Sequence, residues 1–244
     1  MARSIYIASP NAGTGKSTVA LGLVSCLTKV VAKVGVFRPF VESREGDAFL
    51  SLLLNRAGST TPPEQCVGAT WDEFHADPEE ALARIVDAYR AMAREHDVVI
   101  IDGSDFTDVA GNPELALNAR VAANIGVPVL LVVSGQNDVE DVVASVEVSM
   151  AEIADNHART VAVVANKCLP ETRQAVGEAL TAIEGITSTT LPEVPLLAAP
   201  VVREVLDAVE GTLIAGDETL LDREAESVLV CAMDVSHVLE RLTA

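Results

Sequence analysis

The chain has 244 residues, of which 49% are hydrophobic, and 36 acidic residues against 17 basic ones give a formal net charge of −19. This apolar content is enough for the core of one large domain, or of a domain and a smaller piece. The acidity argues against nonspecific binding to nucleic acid or to an anionic membrane surface. We therefore expect a globular protein with neither kind of partner.

Targeting and metal-binding signals are missing from the sequence. No stretch approaches the roughly 18 apolar residues of a membrane span, and the apolar run near the start is too short for a signal peptide. We therefore expect a cytoplasmic protein. The histidines and cysteines are dispersed without metal-ligand spacing, so no zinc site is predicted. The cysteines are predicted to be reduced core residues; they are Cys26, Cys66, Cys168 and Cys231.

The first predicted elements are a short strand at residues 5–8, a loop that reads PNAGTGKST at residues 10–18, and a helix. A strand, a glycine-bearing turn and a helix start aim backbone N–H groups and the helix dipole at a bound anion. In such a loop Lys16 reaches the β- and γ-phosphates and Ser17 ligates Mg²⁺.

Pro10 occupies the first glycine position of this motif and removes one donor. The alternative interpretation is a glycine-rich turn that joins strand to helix and binds nothing. The predicted phosphate ligands are Gly13, Thr14, Gly15, Lys16, Ser17 and Thr18.

Further along the chain, strand-like runs alternate with helix-length patterns. Near-continuous Val/Ile/Leu runs suit parallel strands that are buried on both faces. We predict an α/β fold of the P-loop NTPase type, a mostly parallel sheet with helices on both faces. The further predicted strands are 34–38, 98–102, 127–133 and 161–166, and the predicted helices are 16–28, 46–57, 77–95, 112–125, 139–155 and 171–183. Ligands in such sheets bind beyond the carboxyl ends of the strands.

The second strand ends in Arg38 and Pro39. Arg38 is either a cation at the ligand edge or an exposed arginine at an ordinary strand exit, and the sequence does not separate the two. Asp47, which opens the next predicted helix, is expected to cap that helix rather than face a metal.

The strand at 98–102 is apolar until it ends in Asp102, which Gly103 follows. A carboxylate in this position can hold Mg²⁺, directly or through water, opposite Ser17. The alternative is an acidic residue that begins a turn. Asp102 and Ser17 are therefore the predicted metal ligands.

The strand at 161–166 ends in Asn166. A side-chain amide offers a donor and an acceptor together, which suits the edge of a nucleotide base. No aspartate stands two residues after Lys167, where guanine selectivity would require it. The sequence thus predicts ATP or a related nucleotide with Mg²⁺, although Asn166 as a turn former stays open.

Taken together, residues 4–166 resemble the dethiobiotin-synthetase-like P-loop domain through the phosphate loop and the strand ends at Arg38, Asp102 and Asn166. Residues 5–38, 96–120 and the tail are similar to the N-terminal part of long-form bacterial phosphate acetyltransferase. The tail from Pro192 onward resembles the opening of the DRTGG domain of those enzymes. The resemblance implies a P-loop domain over 1–190 and a truncated, small α/β DRTGG-like segment over 191–244.

The resemblance implies a place in acetate metabolism, where acetyl-CoA and phosphate are interconverted with acetyl phosphate and CoA. In the family the transferase domain follows the DRTGG domain and is absent from this chain. No catalytic residue is therefore carried over, and the isolated chain is predicted to lack transferase activity. The implied role is regulatory and nucleotide-binding. The nucleotide-site positions carried over are Gly13, Gly15, Lys16, Ser17, Asp102 and Asn166.

Two other functions stay open: a stand-alone ATP-dependent ligase resembling dethiobiotin synthetase, and a non-catalytic interaction module with a relic P-loop. We also expect a homo-oligomer, because an apolar tail that includes residues 228–230 would otherwise expose core side chains.

Overall fold

A computed structural model describes residues 2–104, 114–225, 234 and 237. Its centre is a seven-stranded sheet in the order β3-β2-β4-β1-β5-β6-β7, with every neighbouring pair parallel. The strands are β1 (Arg3–Ala8), β2 (Val34–Val41), β3 (Val67–Thr70), β4 (Val98–Asp102), β5 (Val129–Ser134), β6 (Thr160–Cys168) and β7 (Thr187–Pro192).

The helices pack in two layers: α1 and α2 contact each other on one side, and α3 to α7 form a continuous row on the other. This arrangement follows from right-handed crossovers, since the chain moves in one direction across the sheet from β1 to β3 and in the other from β3 to β7. The helices are α1 (Lys16–Leu27), α2 (Ala48–Ala57), α3 (Trp71–Ala76), α4 (Pro78–Glu95), α5 (Glu114–Ile125), α6 (Val139–Asp155), α7 (Arg173–Thr181) and α8 (Val202–Ala208).

The predicted α/β fold is confirmed. The bounds of β4 and α6 are as predicted, and Asp47 caps α2, with its Oδ1 accepting a hydrogen bond from Leu50 N at 2.8 Å. Strands β3 and β7 and helix α3 were not predicted. Both missed strands lie at the edges of the sheet, and neither has the apolar run that marks the central strands.

The core lies along the central strands, where β4 buries Val99, Ile100 and Ile101 completely. These residues face helices on both sides, which is why the central strands carry continuous apolar runs. The register of β1 on β4 places Ile7 beside Asp102. The end of β4 therefore lies next to the loop that follows β1.

The chain divides into two compact units, Met1–Glu193 and Val194–Ala244. In the described part of the second unit, α8 is accompanied by two short 3-10 helices and an antiparallel bridge between Val201 and Glu224. Ile214 of this unit is 97% exposed. Residues 228–230, on which the expected oligomerisation depends, lie outside the described residues. None of the helices in the described residues is both long and apolar enough to cross a membrane.

The three described cysteines are free, as predicted, and the predicted core position is confirmed for two of them and wrong for the third. Cys66 and Cys168 are buried free thiols, whereas Cys26 is exposed because it lies on the solvent side of α1. Cys231 lies outside the described residues.

Because the thiol of Cys66 is buried, we expect the folded protein to lose stability at alkaline pH. Burial, with a smaller contribution from Glu64, raises the pKa of the Cys66 thiol from 9.0 to about 11. Since the folded protein keeps this proton after the unfolded chain has lost it, the free energy of unfolding should fall between those two pH values, by about 1.4 kcal/mol per pH unit. Urea denaturation at a series of pH values measures this slope.

Cys66→Ala is the control for that measurement. It should unfold with a flatter pH dependence over the same interval, although the cavity lowers its overall stability. Tyr6, whose pKa burial raises well above 10.0, continues to destabilise both proteins at higher pH. Parallel slopes for the two proteins between pH 9 and 10 would contradict the assignment to Cys66.

Candidate functional site

The loop between β1 and α1 depends on two glycines. Gly13 has φ 75° and Gly15 has φ 81°, in the left-handed region that favours glycine. A Cβ atom at Gly15 would also lie only 2.3 Å from Asn166 Nδ2. Position 13 therefore needs glycine because of its backbone conformation. Position 15 needs glycine because of its conformation and because Asn166 approaches closely.

Several donors of this loop have no protein partner within the described residues. The backbone amides of Gly13, Gly15 and Ser17 donate no hydrogen bond there. The buried Thr14 Oγ1 likewise has no hydrogen-bond partner among those residues. Left-handed glycines followed by a helix start form a cradle of N–H groups that is suited to an anion. The local geometry thus fits a phosphate group.

Lys16, the first residue of α1, has a side chain that is only 1% exposed. Its Nζ donates a hydrogen bond to Asp102 Oδ1 at 2.9 Å and a second one to the carbonyl oxygen of Gly103. The lysine of the loop and the carboxylate at the end of β4 were predicted as separate site residues. The structure brings them together as a buried ion pair.

Arg38 lies on the other side of Asp102. Its Nε is 3.4 Å from Asp102 Oδ2, and its Nη1 donates to Asp47 Oδ2. The guanidinium carbon also lies 5.9 Å from the centre of the Phe49 ring. Of the two interpretations of Arg38 that the sequence left open, the structure favours a cation at the ligand edge.

Lys16 and Arg38 limit how Asp102 could hold the predicted metal ion. Asp102 is fully buried, with one carboxylate oxygen facing Lys16 and the other facing Arg38. Direct ligation of Mg²⁺ by Asp102 would have to displace Lys16, whereas ligation through water would not. No group of three or more His, Cys, Asp or Glu residues able to hold a metal occurs in the described part of the chain.

Asn166 and Lys167, at the end of β6, contact the loop itself. Asn166 Nδ2 donates to the carbonyl oxygen of Thr14 at 2.9 Å. Lys167 Nζ donates to the carbonyl oxygen of Gly13 at 2.8 Å. The amide predicted to face a base is thus bonded to the phosphate loop. The contact of Lys167 was not predicted, and its only sequence signal is its position directly after Asn166.

A cavity of about 400 Å³ opens beyond the carboxyl end of β2. Its lining includes Arg38 and Ser104, whose buried Oγ has no hydrogen-bond partner among the described residues. Sequence reasoning missed this cavity because α3, which contributes Trp71 to it, was not predicted. The other polar and aromatic lining residues are Phe40, Glu42, Ser43, Glu45 and Asp47.

Comparison with known families matches this loop and sheet to a model described as "AAA domain" (AAA_26), over residues 3–206. The chain belongs to this AAA domain family. The match includes the phosphate loop, Asp102 and Asn166, and it extends past the end of the first compact unit at Glu193.

The curated relatives include phosphate acetyltransferases from Synechocystis sp. and Nitratidesulfovibrio vulgaris. Each is 24% identical to this chain, over 99% and 98% of its length respectively. A third, from Pseudomonas putida, is also 24% identical. The chain spans 36%, 36% and 37% of these three relatives, so it corresponds to about one third of each.

Solved structures with the same fold include chloroplast FtsY from Physcomitrella patens, with a TM-score of 0.55 at 19% identity, covering 80% of this chain and 59% of that one. A putative plasmid partition protein from Borrelia burgdorferi, solved bound to AMPPNP, has a TM-score of 0.54 at 14% identity. The match covers 90% of this chain and 94% of that one. MinD from Aquifex aeolicus has a TM-score of 0.52 at 16% identity, covering 81% of this chain and 84% of that one. At these identities the likeness shows the fold alone.

Proposed function

We propose that this member of the AAA domain family is the nucleotide-binding, regulatory N-terminal region of a phosphate acetyltransferase. It binds ATP or a related nucleotide with Mg²⁺ in the loop at residues 10–18. The observation that carries the proposal is the set of N–H groups at Gly13, Gly15 and Ser17, which have no partner in the described residues and lie at the start of a helix whose first residue is Lys16.

Each residue of the loop has a distinct task in this proposal. The amides bind phosphate oxygens, and the Ser17 hydroxyl is the direct ligand for Mg²⁺. Lys16 exchanges its bond to Asp102 for the β- and γ-phosphates, and Arg38 then keeps the buried carboxylate paired. Mg²⁺, when bound, would neutralise charge on the phosphate oxygens, and Asp102 would hold it through water.

The assignment to a phosphate acetyltransferase is supported by relatives that match nearly the whole chain. We propose that acetyl transfer belongs to the part of those relatives outside the match, and that residues 191–244 form a DRTGG-like segment. In this proposal the nucleotide is a regulatory signal. The region acts in the cytoplasm as part of a homo-oligomer, without a nucleic-acid or membrane partner.

Two assays on the purified chain test this function. Calorimetry should detect binding of ATP or ADP with Mg²⁺, and no acetyl phosphate should form from acetyl-CoA and phosphate. Measurable acetyl transfer by this chain alone would refute the regulatory assignment. Failure to bind either nucleotide would instead favour a relic loop in an interaction module.

The cavity beyond β2 favours one alternative, an ATP-dependent ligase resembling dethiobiotin synthetase. A ligase needs a second substrate next to the nucleotide, and this cavity adjoins the loop site through Arg38. Among the described residues its lining has three carboxylates, those of Glu42, Glu45 and Asp47, against one guanidinium, which suits a co-substrate with amino groups. ATP turnover that requires a diamino acid and bicarbonate would support the ligase, and turnover unchanged by them would exclude it.

A further inference from the structure

We infer that Asn166 and Lys167 are positioning residues that hold the phosphate loop in its anion-binding conformation. The inference rests on the proposed nucleotide site. It assigns Asn166 to the loop, a role that the sequence did not predict.

The two side chains bind consecutive carbonyl groups of the loop. Lys167 Nζ lies 2.8 Å from the carbonyl oxygen of Gly13, and Asn166 Nδ2 lies 2.9 Å from that of Thr14. No peptide bond in the described residues is cis. In a trans peptide the N–H points opposite to the C=O of the same plane. The two bonds therefore turn the amides of Thr14 and Gly15 away from β6, toward the other side of the loop.

The backbone of Lys167 adopts an unusual conformation at the point where its side chain contacts Gly13. Its φ is 60°, in the left-handed region that residues with a side chain rarely adopt. The Lys167 side chain then passes over the loop, with Cε 3.7 Å from where a Cβ of Gly15 would lie. Strained backbone is retained where the surrounding contacts require it.

Asn166 uses one of its two Nδ2 hydrogens to hold the loop, and the residue is 8% exposed. No partner is seen among the described residues for the second hydrogen or for Oδ1. Recognition of a base edge by an amide uses a donor and an acceptor together. A ligand with a base and a ligand without one therefore distinguish holding the loop from reading the base.

The end of β6 is itself well anchored. The Asn166 carbonyl accepts a hydrogen bond from Gly135 N at 2.6 Å, and the Cys168 carbonyl accepts one from Glu193 N at 3.0 Å. Cys168 is buried. Because the strand end is held from both neighbouring segments, it can act as a fixed support for the loop.

The decisive experiment compares Mg²⁺·ATP with Mg²⁺·tripolyphosphate, which has the phosphates and no base. Titration calorimetry is performed on the full chain, on Asn166→Ala and Lys167→Met, and on Lys29→Met as a control at an exposed lysine away from the site. We expect each loop variant to weaken both ligands by the same factor, about tenfold, which corresponds to the loss of one hydrogen bond. The control should bind like the unmodified chain.

Hydrogen exchange provides a readout that needs no ligand. In the ligand-free chain, the amide of Val19, which donates to the carbonyl oxygen of Gly15 at 3.1 Å, should exchange faster in both loop variants than in the control. If Asn166→Ala weakens ATP and leaves tripolyphosphate unchanged, Asn166 reads the base and the inference is wrong. Unaltered binding of both ligands together with unaltered exchange would also overturn it. If the unmodified chain binds neither ligand, the proposed nucleotide function fails, whereas the exchange result still decides whether the two residues hold the loop.

Discussion

Lys16→Ala is expected to lower the affinity for Mg²⁺·ATP by at least about 100-fold, or about 2.7 kcal/mol. The reason is that the ammonium is the only charged group that the loop itself contributes. A charge-assisted bond to phosphate in a buried site is stronger than one made in water. Calorimetric titration of the variant beside the unmodified chain measures the loss.

The side chain of Lys16 is also structural, so the variant needs a control for folding. Circular dichroism should show a folded protein, because Asp102 keeps its ion pair with Arg38 after the lysine is removed. Lys29→Ala, an exposed lysine outside the loop, should bind Mg²⁺·ATP normally. A folded Lys16→Ala variant that binds within about threefold of the unmodified chain would contradict the assigned role of Lys16.

Asp102→Ala is expected to lower the free energy of unfolding by about 3 to 5 kcal/mol, because removing one partner of a buried ion pair is strongly destabilising. The charge that loses this partner is on Lys16, whose side chain is 1% exposed and lies 2.9 Å from Asp102. Arg38 would retain its pair with Asp47. Urea denaturation measures this loss, and an m-value equal to that of the unmodified chain shows that stability alone has changed.

A double variant separates the ion pair from simple loss of volume. Lys16→Met/Asp102→Leu removes both charges and keeps apolar atoms in their place, so its destabilisation should be smaller than the sum for Lys16→Met and Asp102→Leu. Additive losses would show that the two side chains contribute independently. A loss below about 1 kcal/mol for Asp102→Ala would mean that the charge of Lys16 does not depend on Asp102 for its compensation.

The sequence predicted the central part of the fold well, and the reason is physical. Strand β4 and helix α6 have strong apolar patterns, and their bounds were predicted correctly. Edge strand β7 reads TSTTLP and is largely exposed, so no hydrophobic period marks it. Helix α3 has only six residues, which is too short for a helical period to be recognised.

For the candidate site, the sequence predicted the residue types but not their pairing. Parallel strands end at one edge of the sheet, so Asp102 and Asn166 could be placed near the loop. That Lys16 bonds to Asp102 follows from β4 lying next to β1, and strand order is set by the whole topology. The bond between Asn166 and Thr14 spans 152 positions of the chain, and no local pattern specifies it.

The backbone amides of the loop offer the most direct test of the central claim, that this loop binds a polyphosphate. The measurement is a titration of the ¹⁵N-labelled full chain with Mg²⁺·ATP, monitored by the NMR signals of Gly13, Gly15 and Ser17. We expect these three amides to shift most and to saturate at one nucleotide per chain. If they stay unmoved at millimolar nucleotide, the loop is not a phosphate site.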